Sequence, residues 1–112
     1  MSSPYEEALA LIRKHPGTGS ATSLAKLILS LWNVECCFSF RECIHNLDDE
    51  RTALALQIIT RFAARGEDAD VVAVGHAVCS EYPRLWDLGQ AGDQAKHALR
   101  TTWDRRAAAT RA

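Results

Sequence analysis

Apolar residues recur three or four positions apart along almost the whole chain, the spacing of a helix face rather than of a strand. Alternation of apolar and polar residues is confined to "CFSF" at 37–40, too short to build a sheet. Helix starts and stops punctuate the pattern. "SPYE" at 3–6 reads as a capping box, with Ser3 as N-cap, Pro4 at the first helical position and Glu6 reaching back. The helix it opens sets Tyr5, Ala8, Leu9 and Ile12 on one face, and "HPG" at 15–17 stops it. After the flexible "GTGSATS", Leu24, Leu27, Ile28 and Leu31 outline a second amphipathic helix ending at Asn33. "SFRE" at 39–42 repeats the capping box and opens a short helix that ends near Asn46.

Asp48 caps the next helix, Asp49 and Glu50 suit its positive end, and Gly66 supplies the left-handed stop. Leu54, Ala55, Leu56, Ile58, Ile59, Phe62 and Ala63 cover more than one face, so this helix is expected at the centre of the fold. A fifth helix starts at Asp68 or Asp70 and carries Val71, Val74, Gly75 and Val78, with Gly75 suited to a close neighbour. After Pro83, the residues Leu85, Leu88, Gly92, Ala95, Leu99 and Trp103 form a narrow seam. Gly89 and Gly92 suggest a break within it, and the tail after 104 is expected to fray. The sum is all-α: one compact bundle of five to six helices, with residues 1–112 as a single helical domain.

At 112 residues the chain is long enough to bury a core without a disulfide or metal staple, and 47% of it is hydrophobic. The opening "MSSPYEEALA" places Glu6 and Glu7 where a secretion signal needs Lys or Arg. The longest apolar run, "LAKLILSLW", is too short to span a bilayer. A cytoplasmic protein with reduced thiols and no membrane contact is therefore expected.

"SLWNVECCFSFRECIH" at 30–45 gathers three of the four cysteines, Cys36, Cys37 and Cys43, and the fourth is Cys79. A zinc site needs four ligands, usually offered as close pairs. His76 and Cys79 share a helix face, but Cys43 and His45 point roughly 200° apart on a helix. Cys43, His76 and Cys79 are therefore the zinc candidates, without a C-x-x-C pair to support them. The plainer reading makes the thiols small buried hydrophobes, and it is preferred. No cofactor is expected. "HPGTGSATSLAK" resembles a phosphate loop in composition, but no strand precedes it and G-K-[ST] is missing. The carboxylates Asp48, Asp49 and Glu50 are most simply caps.

The net charge of -1 gives no whole-protein attraction to nucleic acid, yet the charges are uneven. Beyond residue 95, Lys96, Arg100, Arg105, Arg106 and Arg111 face only Asp104. That basic helix suits either phosphate backbone or an acidic protein surface. A helix-turn-helix formed with "SFRECIH" is disfavoured, because only Arg41 and His45 could read bases. Trp32, Trp86 and Trp103, with Arg100 and Arg105, have the residue types of an interface hot spot.

Leu29, Ser30, Leu31, Trp32 and Asn33, followed by Phe40 and then Leu47 and Asp48, carry a family likeness. The stretch 23–59 resembles uncharacterised small proteins of proteobacterial plasmids and integrative mobile elements. It departs from them in having Trp32 for a Tyr, Val34 where Gly is usual, and extra cysteines. The resemblance implies no reaction and transfers no site residues. It implies a mobile-element accessory protein, of the kind that inhibits a host defence complex. The expected function is thus a non-enzymatic protein-interaction module. Its partner is another protein or a second copy, the latter through Leu85, Leu88, Leu99 and Trp103. The alternatives are a nucleic-acid binder using the C-terminal helix and a small zinc module.

Overall fold

Five of the six helices begin where the sequence supplies a capping side chain. Ser3, Thr18, Ser39, Asp48 and Asp68 each accept a hydrogen bond from the amide three residues on. The helices are α1 (Pro4–Lys14), α2 (Gly19–Trp32), α3 (Phe40–Ile44), α4 (Asp49–Arg65), α5 (Ala69–Glu81) and α6 (Pro83–Arg111). The computed structural model describes residues 2–111, and no strand occurs among them. The capping box closes fully at α3, where Ser39 and Glu42 bond each other's backbone amides at 3.0 and 3.2 Å. At α1 the Ser3 hydroxyl accepts from the Glu6 amide at 3.1 Å. Gly66 ends α4 at φ 64°, a backbone region that glycine enters without steric penalty.

The core is made of one stripe from each of four helices. Tyr5, Ala8 and Ile12 come from α1; Leu24, Leu27 and Ile28 from α2; Leu54 and Ile58 from α4; Val71, Val74 and Val78 from α5. Fully burying one such Leu, Ile or Val contributes roughly 1.5–3 kcal/mol before entropy offsets it. Polar clasps fix the helices at the margins. Arg13 grips Glu81 through two bonds of 3.0 and 2.8 Å, tying α1 to α5. Arg61 bridges Asp68 and Asp70 at 3.0 and 2.5 Å while its guanidinium lies 5.5 Å over the Tyr5 ring.

The central helix is α2, not the broadly apolar α4. All five other helices pack on α2, whereas α4 packs on α1 and α2, and its Leu56 stays exposed. The reason is side-chain size. Ala21, Ser23 and Ala25 are buried on α2 between its leucines, so neighbours reach its backbone from several sides.

The seam helix also departs from expectation. α6 runs 29 residues without a break, through Gly89 and Gly92 and on to Arg111. At 1.5 Å per residue that is about 43 Å. Each glycine costs about 1 kcal/mol of helix propensity, but close packing at both positions offsets it. Past Asp104, where fraying was expected, Ala107, Ala108 and Ala109 are strong helix formers, and Arg111 suits the negative end of the dipole. The result is a bundle with a projecting rod. The molecule measures 60 × 29 × 25 Å and its radius of gyration is 16.3 Å, against about 13 Å for a compact domain of this length.

Candidate functional site

The loop that carries the cysteines is clamped onto the base of α6. A β-carbon added to Gly89 would lie 2.2 Å from the Cys36 sulfur, and one on Gly92 would lie 2.8 Å from the Cys37 carbonyl oxygen. The Cys37 amide donates to the Gly89 carbonyl at 2.9 Å. Cys36 and Cys43 are only 5% and 3% exposed, and the Cys43 sulfur sits 3.9 Å from the Ser30 hydroxyl. Burial pushes the Cys36 thiol up to about 12 and raises those of Cys43 and Cys79 as well. A nucleophile or metal ligand needs the thiolate, and these surroundings oppose it. Cys36 and Cys43 belong to the buried core, and Cys79 packs against it.

The zinc candidates do not meet. Cys43 lies on α3, while His76 and Cys79 lie on α5, with the His76 ring 4.9 Å from that of Trp32. Among the described residues, no three His, Cys, Asp or Glu side chains form a group able to hold a metal.

The three tryptophans divide into two kinds. Trp32 and Trp86 are half-buried and lie against each other with ring centroids 5.5 Å apart. Trp32 also covers Gly75, where a β-carbon would stand 2.2 Å from the indole. This pair locks α2, α5 and the first turns of α6 together. Trp103 is 56% exposed and lies far along the rod.

That rod is the distinctive surface. From Gln94 to Arg111 every residue is exposed except Thr102, whose hydroxyl turns back onto the Ala98 carbonyl. Leu88 and Leu99 are 61% and 49% exposed. At 100° per residue, Ala95, Leu99 and Trp103 fall within roughly 80° of one another and form an open row; Leu88 points the same way, but Gly92 between them is covered by the Cys37 loop. Lys96 and Arg100 border that row on one side, while Arg105 lies about 160° round the helix from Trp103. Residues 94–111 carry five Lys or Arg and one Asp, net +4, while the rest of the chain carries eight and thirteen, net −5. The net charge of -1 thus conceals a basic rod on an acidic body.

Other surfaces are less organised. Val34, Phe40 and Leu56 are exposed, but Leu56 lies on α4, away from the loop and short helix that carry the other two. A hollow of about 550 Å³ between α2 and α3 is lined by Lys26, Arg41, His45 and several hydroxyls. Its polar groups are largely engaged. Ser23 donates to the His45 carbonyl, Glu42 closes the α3 cap, and the Lys26 ammonium lies 5.3 Å over Phe38. No described helix is long and apolar enough to cross a membrane. Comparison with known proteins finds no matching family model, no matching curated relative and no matching solved structure.

Proposed function

We propose that this chain is a non-enzymatic protein-interaction module whose binding element is the projecting part of α6, with the helical bundle as its mount. The observation that supports this reading is the row of Ala95, Leu99 and Trp103, exposed on a helix that leaves the bundle and is edged by Lys96 and Arg100. A helix kept out of water on no side is a costly place for large apolar residues unless another surface covers them. An amphipathic helix laid into a partner's groove uses this spacing of anchors. Taken with the resemblance over residues 23–59, the role is that of a mobile-element accessory protein that occupies a host protein, a defence complex being the target class.

The test is affinity capture from a cell lysate with the full chain and with Leu99→Asp and Trp103→Ser. Both substitutions lie outside the core, so the circular dichroism spectrum and unfolding midpoint stay as in the parent. Retention of the captured proteins is expected to fall at least tenfold. Equal retention by parent and variants would remove the basis of the reading.

The five cations of the rod support a second reading, nucleic-acid binding along phosphate. The acidic body at net −5 works against it. Should duplex DNA bind with the logarithm of affinity falling about four- to fivefold as steeply as the logarithm of salt rises, this second reading takes precedence.

A further inference from the structure

We infer that the hollow between α2 and α3 is a binding site for the phosphate group of a small molecule. The inference is independent of the reading of α6. The walls of the hollow are fixed from within the chain. Ser23, only 4% exposed, donates to the His45 carbonyl and ties the end of α3 to α2. Ser39 and Glu42 hold the start of α3 in its capping box. Asn46 stands at φ 61°, in the left-handed region, and its side-chain amide lies where a β-carbon on Gly19 would come within 3.0 Å of it. The volume of about 550 Å³ falls within the range of small-molecule sites, about 300–1,000 Å³.

Charge sets the ligand class. Lys26, Arg41 and His45 line the hollow, and Glu42 is the single acidic residue in its lining. The engaged groups are mostly acceptors. The Glu42 carboxylate accepts from the Ser39 amide at 3.0 Å, the Ser39 oxygen accepts from the Glu42 amide, and the His45 carbonyl accepts from Ser23. Among the described residues, the side chains of Lys26, Arg41 and His45 have no hydrogen-bond or ion-pair partner, and Lys26 rests only over the Phe38 ring. By contrast, Arg13, Arg51 and Arg61 are each paired with a carboxylate. The first turn of α2, which carries no acidic residue, forms one wall and adds the positive end of its dipole. A planar guanidinium fork beside a compact ammonium suits a phosphate group, with its several oxygens and about two negative charges. A small anion fits better than a nucleic-acid backbone. Asp49 and Glu50 follow within four residues of Asn46 and would repel a long polyanion.

The experiment is a titration of the full, isotope-labelled chain with pyrophosphate at constant ionic strength, read by its amide NMR shifts. The expected result is a set of shifts confined to residues 19–26 and 39–46 that saturates with a Kd of about 1 mM or tighter. Arg41→Gln and Lys26→Gln should each weaken binding about tenfold, the usual worth of one hydrogen bond to a charged group. Neither residue belongs to the core, and an unchanged circular dichroism spectrum checks that each variant is folded. Arg84→Gln, at an exposed position at the base of α6, is expected to leave the affinity as it was. Absence of saturation by about 10 mM would overturn the inference. So would shifts centred on residues 94–111, which would assign the anion to the rod. Equal weakening by Arg84→Gln would also overturn it, because the attraction would then belong to charge in general and not to this hollow.

Discussion

Gly89 illustrates how a residue without a side chain fixes a neighbour's position. A methyl group there would collide with the Cys36 sulfur at 2.2 Å, although alanine is the better helix former by about 1 kcal/mol. Gly89→Ala is therefore expected to destabilise the fold by roughly 1–3 kcal/mol, the usual cost of overpacking. In a Cys36→Ala background most of that loss should vanish, because the clashing atom is gone. Denaturant unfolding of the two single variants and the double gives the coupling, and additive losses would mean that the two residues do not touch. Cys36 also makes stability depend on pH. Folding holds its thiol protonated, from an ordinary value of 9.0 up to about 12, chiefly through burial. Stability from such a group is complete below the unfolded value and drains away as pH rises through that window. Between about pH 9 and pH 11, the parent should lose more stability than Cys36→Ala, by on the order of 1 kcal/mol per pH unit. Equal losses would show that the thiol is not sequestered. That cysteine is a residue type often found in cores was readable from the sequence, and Cys36 and Cys43 are buried; that Cys36 would sit on Gly89, more than fifty residues away, was not.

At the scale of the element, what could be read from the sequence was what is local. Caps at Ser3, Ser39, Asp48 and Asp68 and the stop at Gly66 depend on a few neighbouring residues, and each stands where its type requires. Centrality is not local. The apolar breadth of α4 suggested a core helix, while the small residues of α2 made that helix the one others surround. Gly89 and Gly92 misled in the same manner. Spaced three apart they share a face, and such a pair signals a close neighbour as well as a weak helix. Beyond them, α6 contributes no buried residue. Ala98→Pro should therefore break the rod at a local cost of about 3 kcal/mol and lower the far-ultraviolet helical signal, yet leave the thermal midpoint of the bundle in place. A marked fall in midpoint would show that the rod supports the fold.

The whole molecule is a small bundle that holds out a helix of opposite charge to itself. Its extent of 60 Å comes from α6, and so does the separation of net +4 from net −5. Neither property shows in the overall composition, where the two charges nearly cancel. The basic run past residue 95 and the 85–103 seam were both present in the sequence. What the sequence withheld was that the part of this seam beyond Gly92 stands clear of the bundle while Leu85 packs on it, because that depends on where the other five helices end. Salt screens exposed charges within about 10 Å at 0.1 M. Association through the rod should therefore weaken as ionic strength rises, while the apolar row sets a floor beneath it.

One measurement bears on all of this: capture of binding proteins for the full chain and for a chain ending at Asp93. The shortened chain keeps every buried residue, so it is expected to unfold cooperatively at nearly the parent's midpoint while retaining none of the proteins that the full chain holds. A folded shortened chain that still retains the same proteins would place the binding surface on the bundle and contradict the assignment to α6.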